Sequence, residues 1–405
     1  MHARHTVVNT EPAEALSPRR RRAVALTALA LIAIAVAGFV YLRPAPSAKP
    51  QVAASEVNLL QVSSYPMSFA FVTPQMGWAS TVVAQQSIVF RTTDGAKHWE
   101  RQLLSQSNPD LTPGSFAPIS VQLFGTARGF ITVGNPIAQF YRTADGGATW
   151  TRLPVPSLTV DAIEFSDASN GWLSGSFTST AGQDLRLFAT HDAGDTWSRL
   201  PDPPPGAVRL AFRASNDAWL GSYGPGPPHF FKSSDSGQTW VRHDLPAPPG
   251  GAWTPDQYYL NFPTTIWLAP GKGAVAFVEA IRCIVASPTP GTCLNANAET
   301  FLFTSDGISD TWRSVPFPPG PFVLQDATHW WATSKNTLFK STNAGQSWNP
   351  VATIPAQWQF TAPGVVDSMH GWAAVFVVGG FGLALTNDGG VHWTLANVPK
   401  EPLSV

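Results

Sequence analysis

One eight-residue pattern recurs seven times in this chain of 405 residues, and it limits the possible folds more than any other feature. The pattern is Ser/Thr-x-Asp-x-Gly-x-Thr-Trp, and its copies begin at Thr92, Thr143, Thr190, Ser233, Thr304, Ser341 and Thr386. The fifth copy, from Thr304 to Trp312, departs from the pattern by one inserted residue. A looser Gly-Trp pair stands ahead of each copy. The mean interval between these pairs is about 49 residues, which suits a four-stranded antiparallel unit.

The residues around the octamers predict β-structure. Residues 87–90 and 185–188 are rich in β-branched, aromatic and leucine side chains, and each run leads into an octamer. Asp-Gly or Asp-x-Gly between two such runs is a hairpin turn, because glycine supplies the positive φ and aspartate caps its own backbone. The chain is therefore predicted to be all-β, a seven-bladed β-propeller with four-stranded antiparallel blades preceded by one N-terminal transmembrane helix. How the ring closes stays open, and a strand within residues 57–62 is one candidate.

The repeat also accounts for most of the 16 tryptophans. Seven end the octamers and six occupy the upstream pairs, which leaves Trp253, Trp330 and Trp358 outside the pattern. Only 13% of the residues are charged, about half the usual fraction, which excludes a coiled coil or a long helical bundle.

The N-terminal residues predict a membrane anchor. An uncharged apolar run matches the hydrocarbon core of a bilayer in length, and four consecutive arginines precede it. The expected organisation is a cytoplasmic basic segment (1–22), a retained transmembrane signal anchor (23–42), a Pro/Ala-rich linker (43–56) and an extracytoplasmic propeller at the cell membrane (57–405). The alternative is a cleaved signal peptide with an unusually long apolar core.

The charge balance argues against a nucleic-acid partner. Seven of the 25 basic residues precede Pro50, so the rest of the chain carries 18 basic and 24 acidic residues. A protein that binds the phosphate backbone needs a clustered positive surface, which a net acidic body does not favour.

The octamer resembles the Asp-box, or bacterial neuraminidase repeat. With the upstream Gly-Trp pair, it is most similar to the photosystem II stability/assembly factor family of seven-bladed propellers, over roughly residues 65–398. The resemblance implies that each octamer acid accepts hydrogen bonds from its own turn and that the tryptophan packs between blades. These structural residues are Asp94, Trp99, Asp145, Trp150, Asp192, Trp197, Asp235, Trp240, Asp306, Trp312, Asn343, Trp348, Asp388 and Trp393. An amide at Asn343 fits this role, because it can replace a turn acceptor but not a catalytic acid.

The fifth repeat departs most from the pattern. Trp267 precedes Asp306 by 39 residues, against 12 to 20 in the other repeats, which indicates an insert over 270–300. In a four-stranded meander this insert lies on the face opposite the octamer turns, where propellers of this resemblance usually meet ligands. Both cysteines, Cys283 and Cys293, fall in the insert and most simply form a disulfide outside the membrane. A metal site is not expected there, because no histidine lies between or close beside them.

The connection that enters the fifth blade is also distinctive. It contains Trp253, Tyr258 and Tyr259 beside an acid and an amide, so these aromatic residues are candidates for binding a sugar or a protein partner. The competing interpretation is that the tyrosines begin the inner strand and only pack.

The sequence favours a binding module over an enzyme. It contains no Arg-Ile-Pro element of the sialidases and no nucleophile elbow. No pair of carboxylates stands out as the acid and base of a glycosidase. The conceivable pairs are Asp161 with Glu164 and Asp256 with Glu279. We therefore expect a non-enzymatic scaffold or assembly factor for an envelope protein complex, with no catalytic residue, cofactor or metal. The alternative is a glycan-binding or sialidase-like, glycoside-hydrolysing propeller whose partner is a cell-envelope glycan.

Overall fold

The computed structural model describes residues 58–60, 63–83, 85–104, 118–134, 139–179, 182–214, 216–222, 229–247, 258–260, 264–266, 275–282, 299–305 and 311–400. Every secondary-structure element within these ranges is a β-strand. The predicted segments 1–22, 23–42 and 43–56 lie outside them. Within the described ranges, no helix has the length and apolar character needed to cross a membrane.

The strands form successive antiparallel sheets in chain order, after a first short strand β1 (Asn58–Leu60). Sheet 1 comprises β2 (Ser68–Phe71), β3 (Gly77–Val83), β4 (Gln86–Thr92) and β5 (Glu100–Leu104); sheet 2 comprises β6 (Ile119–Phe124), β7 (Arg128–Val133), β8 (Gln139–Thr143) and β9 (Thr151–Arg152); sheet 3 comprises β10 (Thr159–Phe165), β11 (Gly171–Ser179), β12 (Gly182–Thr190) and β13 (Ser198–Arg199); sheet 4 comprises β14 (Ala207–Ala214), β15 (Asp217–Ser222), β16 (His229–Ser233) and β17 (Val241–Asp244). Sheet 5 comprises β18 (Tyr258–Leu260), β19 (Thr264–Ile266), β20 (Val275–Arg282), β21 (Glu299–Ser305) and β22 (Arg313–Val315); sheet 6 comprises β23 (Phe322–Leu324), β24 (Trp330–Ser334), β25 (Thr337–Ser341) and β26 (Asn349–Thr353); sheet 7 comprises β27 (Gln359–Val365), β28 (Gly371–Val377), β29 (Gly380–Thr386) and β30 (Thr394–Ala396), and β31 (Val398–Lys400) follows it. Within the described ranges the prediction of an all-β fold is confirmed, with four-stranded antiparallel units in six of the seven sheets and a fifth strand, β19, in sheet 5.

In the six copies that the structure describes in full, the octamer forms the turn between the third and fourth strands of its sheet. In the six copies described in full, two consecutive residues after the acid take positive φ, for example Gly146 at 68° and Gly147 at 82°. In five of these copies the first of the two residues donates its N–H to a carbonyl of the turn between strands one and two, as Gly146 does to Ala127 (2.7 Å). The two turns therefore lie side by side, and we call this end of the sheets the octamer-turn face.

The hydrophobic core lies between sheets rather than within one sheet. Trp78 of sheet 1 is fully buried and meets Trp150 of sheet 2 edge to face, with ring centroids 6.2 Å apart. Trp219 of sheet 4 meets Trp312 of sheet 5 in the same way, at 5.7 Å. A tryptophan from the second strand of one sheet thus packs against the octamer tryptophan of the next.

The last sheet packs against the first. Trp372 of sheet 7 lies beside Phe71 of sheet 1, with ring centroids 6.2 Å apart. The indole Nε1–H of Trp99 donates to the carbonyl of Asn397 (2.9 Å). In addition, β1 pairs antiparallel with β31, and Ser63 forms an isolated bridge with Phe381. The N-terminal strand therefore pairs with the C-terminal strand β31, not with the last sheet itself.

Sheet 5 differs from the pattern predicted for it. In sheet 1 the upstream Trp78 stands opposite the residue that precedes the octamer. In sheet 5 the equivalent place opposite Phe303 belongs to Val278, and Trp267 lies outside the described residues, before β20. The long spacing that predicted an insert over 270–300 therefore arises on both sides of β20, because this strand falls inside that segment.

Two of the three tryptophans outside the pattern belong to the core. Trp330 occupies the glycine position of the upstream pair and is fully buried, with Leu302 and Val315 of sheet 5 in the same cluster. Trp358 packs on the cluster between sheets 6 and 7. Trp253 lies outside the described residues.

Candidate functional site

The hydroxyl and carboxylate side chains of each described octamer form hydrogen bonds within their own turn. In the first copy, the Thr92 hydroxyl donates to Asp94 Oδ1 (3.0 Å) and accepts from the N–H of Ala96 (3.0 Å). Asp94 Oδ1 also accepts from the N–H of His98 (3.0 Å), and Oδ2 lies 2.6 Å from His98 Nδ1. The same hydroxyl-to-acceptor bond recurs at Asp145, Asp192, Asp235, Asn343 and Asp388.

These hydrogen bonds keep the octamer acids ionised. The side-chain and backbone bonds from Thr196 lower the pKa of Asp192 to about 2, and the bonds from Thr239 do the same for Asp235. In the sixth copy Asn343 keeps the Oδ1 acceptor but donates from Nδ2 to Ser347 (2.9 Å). Acids held in this state serve as hydrogen-bond acceptors and not as proton donors at neutral pH.

Cations before the octamers connect neighbouring sheets. Arg91 of sheet 1 donates to the carbonyl of Gly146 in the octamer turn of sheet 2 (3.0 Å). Arg142 of sheet 2 reaches the next turn, where both guanidinium Nη atoms pair with Asp195 (2.9 and 3.1 Å). Lys340 instead contacts a ring of its own sheet: its Nζ lies 3.8 Å from the ring centroid of Trp331, and burial lowers the pKa of its ammonium group. These positive groups are engaged within the protein.

A cleft of about 460 Å³ lies on the octamer-turn face between sheets 6 and 7. Its walls are the turns that join β23 to β24 and β27 to β28. We call it the acidic cleft, and its lining residues are Gln325, Asp326, Ala327, Thr328, Val366, Asp367 and Ser368. In each turn the acid contacts a histidine three residues later, with Asp326 and His329 2.8 Å apart and Asp367 and His370 2.9 Å apart.

The two acids of the cleft are ionised at neutral pH. Burial raises the pKa of the Asp326 carboxyl, but hydrogen bonds from the backbone N–H groups of Thr328 and His329 outweigh it and hold the pKa below its usual range. Asp367 has the same balance through its own turn. The cleft can therefore accept hydrogen bonds from amide or ammonium groups of a partner.

Sequence reasoning placed function on the opposite face and missed this cleft. A signal was present, since an Asp-x-x-His or Asp-x-x-Asn motif precedes the upstream pair at Asp326, Asp367 and Asp167. In the third sheet Asn170 takes the histidine position, and its Nδ2 donates to Asp167 (2.8 Å). The motif therefore stabilises a turn within one sheet. A cleft forms where two such turns lie in adjacent sheets, as in sheets 6 and 7.

The residues predicted to bind a ligand are placed only in part. Tyr258 and Tyr259 form the start of β18, where their backbone pairs with Arg282 and Ile281 of β20. Trp253 lies outside the described residues, as does the predicted disulfide with both of its cysteines. Among the residues that the structure describes, no group of three histidine, cysteine or acidic side chains is arranged to hold a metal ion.

The fold and the octamer turns define a β-propeller of the bacterial neuraminidase repeat type. A family model described as photosynthesis system II assembly factor YCF48 matches residues 48–159, which confirms the predicted similarity. Similar solved structures include YCF48 bound to D1 peptide (17% identity, 85% of this chain and 97% of that chain, TM-score 0.45), YCF48 from Cyanidioschyzon merolae (14%, 84% and 97%, 0.46) and the GH74 xyloglucanase from Xanthomonas campestris (14%, 84% and 54%, 0.48). No curated protein matches the chain in sequence.

Proposed function

We propose that this protein is a seven-bladed β-propeller, anchored at the cell membrane by residues 23–42, that acts outside the cytoplasm as a non-enzymatic binding module for an envelope protein complex. The observation that carries the proposal is the match of residues 48–159 to the YCF48 assembly-factor family. Seven consecutive antiparallel sheets, with the last packed on the first, support seven blades.

The chemistry of the octamers supports a scaffold role. In the described octamers, the Asp or Asn side chain accepts hydrogen bonds from backbone N–H groups of its own turn, so these repeated residues have a structural role. A rigid frame with unlike connections on its two faces suits recognition of another macromolecule. The acidic cleft adds a surface that accepts hydrogen bonds from a cationic or amide-rich segment of the partner.

The test is crosslinking of the full chain in its own membranes, followed by purification and identification of the crosslinked protein. One variant replaces residues 283–298 by a short Gly-Ser turn, which spares β20 and β21. A second variant carries Asp326→Asn and Asp367→Asn, which keep the turn acceptors and remove the charges. We expect one envelope protein to crosslink to the wild type, with weaker crosslinking to at least one variant.

Several outcomes would overturn the proposal. Recovery of the chain in the soluble fraction would contradict the proposed membrane anchor at residues 23–42. Turnover of a glycoside by the purified full chain would establish the glycan-active alternative. Equal crosslinking of wild type and both variants, with unchanged circular dichroism, would exclude both surfaces as the contact.

A further inference from the structure

The hairpin between β28 and β29 ends in an exposed apolar tip. Residues 371–386, from the start of β28 to the end of β29, include no charged side chain. Val378 at the turn is 89% exposed and Phe376 is 38% exposed. Phe376 stands opposite Phe381, with ring centroids 4.2 Å apart, so the tip is one contiguous apolar surface. We call Phe376, Val378 and Phe381 the apolar tip.

The equivalent turns in two other sheets carry polar side chains. The turn between β3 and β4 includes Gln85, and the turn between β24 and β25 consists of Lys335 and Asn336. The apolar tip is therefore a property of sheet 7 and not of the repeat. Contiguous exposed apolar surfaces mark protein or membrane interaction sites, whereas single exposed apolar residues carry no such meaning.

The N-terminal segment reaches the domain beside this tip. Ser63 exchanges two backbone hydrogen bonds with Phe381 (2.7 and 2.8 Å). Ser63 lies five positions after Asn58 of β1, a span of about 18 Å at most. The linker 43–56 extends to about 50 Å at most, so a bilayer that holds residues 23–42 lies within reach of the tip.

We propose that the apolar tip of sheet 7 inserts into the interfacial layer of the lipid bilayer. This inference rests on the membrane anchor of the proposed function, which holds the tip at high local concentration near lipid. One valine and two phenylalanines by themselves bind a bilayer weakly. The membrane anchor raises their effective concentration at the bilayer and so favours insertion. The uncharged hairpin avoids the cost of bringing a charge into the bilayer.

The experiment reconstitutes the full chain in phosphatidylcholine and phosphatidylglycerol vesicles that carry a phospholipid with a diazirine on its acyl chain. After illumination, mass spectrometry locates the crosslinked residues. We expect lipid adducts within 23–42 and within 376–381. Val378→Asp is expected to lower the hairpin adducts about tenfold, while Val378→Leu keeps them.

A matched control distinguishes the octamer-turn face from the opposite end of sheet 7, where the apolar tip lies. Val391 in the seventh octamer is also exposed, at 46%, and lies on the octamer-turn face, so Val391→Asp is expected to leave all adducts unchanged. Adducts within 23–42 alone would overturn the apolar tip and leave the anchor standing. Adducts at neither place would overturn both. A loss at the hairpin with Val378→Leu as large as with Val378→Asp would also contradict insertion, because leucine is apolar.

Discussion

Two interfaces between sheets are built on the same plan but closed by different means. Between sheets 1 and 2, Trp78 is fully buried against the octamer turn of sheet 2. A Cβ on Gly147 in that turn would stand 2.7 Å from the Trp78 ring. Between sheets 7 and 1, Trp372 is only partly buried, and Ala96 holds the turn position that Gly147 holds next door.

The difference shows what a repeat can and cannot supply. The interface of sheets 1 and 2 is centred on repeated residues, since the second octamer brings Gly147 and Trp150 to the upstream Trp78 of sheet 1. The interface of sheets 7 and 1 adds segments that occur once, namely β1, β31 and Asn397. A chain of repeats has two ends, so the last contact needs residues that the repeat does not carry.

Loss of the buried tryptophan is expected to have the largest effect. Trp78→Ala removes a fully buried ring and should lower the free energy of unfolding by about 3–5 kcal/mol. Trp372→Ala should cost clearly less, because that ring is already partly exposed. Denaturant unfolding of both variants measures the difference. Equal losses would mean that the closing interface depends on its tryptophan as much as the repeated one does.

The glycine of the second octamer comes next. Gly147→Ala places a Cβ against Trp78 at a φ of 82°, and should cost about 3 kcal/mol through overpacking and left-handed strain. The matched control is Ala96→Gly, which changes the same turn position by about 1 kcal/mol or less. If Gly147→Ala melts at the wild-type temperature, the close approach of turn and ring is not tight.

The hydrogen bond between Trp99 and Asn397, at the interface of sheets 7 and 1, is expected to contribute less to stability. Trp99→Phe removes the donor to the Asn397 carbonyl and should cost about 1 kcal/mol. Hydrogen exchange of the β31 amides should accelerate at the same time. Trp150→Phe removes a bond of the same kind, to Gln102 in sheet 1, and should leave β31 unchanged. Faster exchange in both variants would contradict a local role for Trp99.

The smallest effect concerns pH. The backbone and side-chain bonds from His392 lower the pKa of Asp388 to about 2, below its unfolded value, so its stabilising contribution is complete above about pH 4 and is lost as the pH falls toward 2. Asp388→Asn should therefore flatten the fall of the melting temperature in this range. The reverse change, Asn343→Asp, should steepen it. Identical pH profiles for all three proteins would contradict the sign or the presence of this linkage.

Much of the fold was predictable because it is periodic. Asp-x-Gly turns and strand patterning predicted the antiparallel sheets, and the recurrence of tryptophan predicted contacts between them. The prediction failed to place Trp267, because the spacing of sheet 5 hides which segment becomes the second strand, and Val278 takes that place instead. The acidic cleft was missed because Asp326 and Asp367 are 41 positions apart and meet only through the packing of two sheets.

The sequence alone determined the octamer turns and the acceptor role of the six octamers that the structure describes in full, since these depend on contacts within a few residues. It also determined the apolar run at the N-terminus, which is a local property. Only the tertiary structure decided which residues close sheet 7 on sheet 1 and which face holds a cleft. It likewise placed the apolar hairpin tip of sheet 7 beside Ser63 of the N-terminal segment. Those features join residues distant in the chain, and their pairing follows from packing energies that no short pattern records.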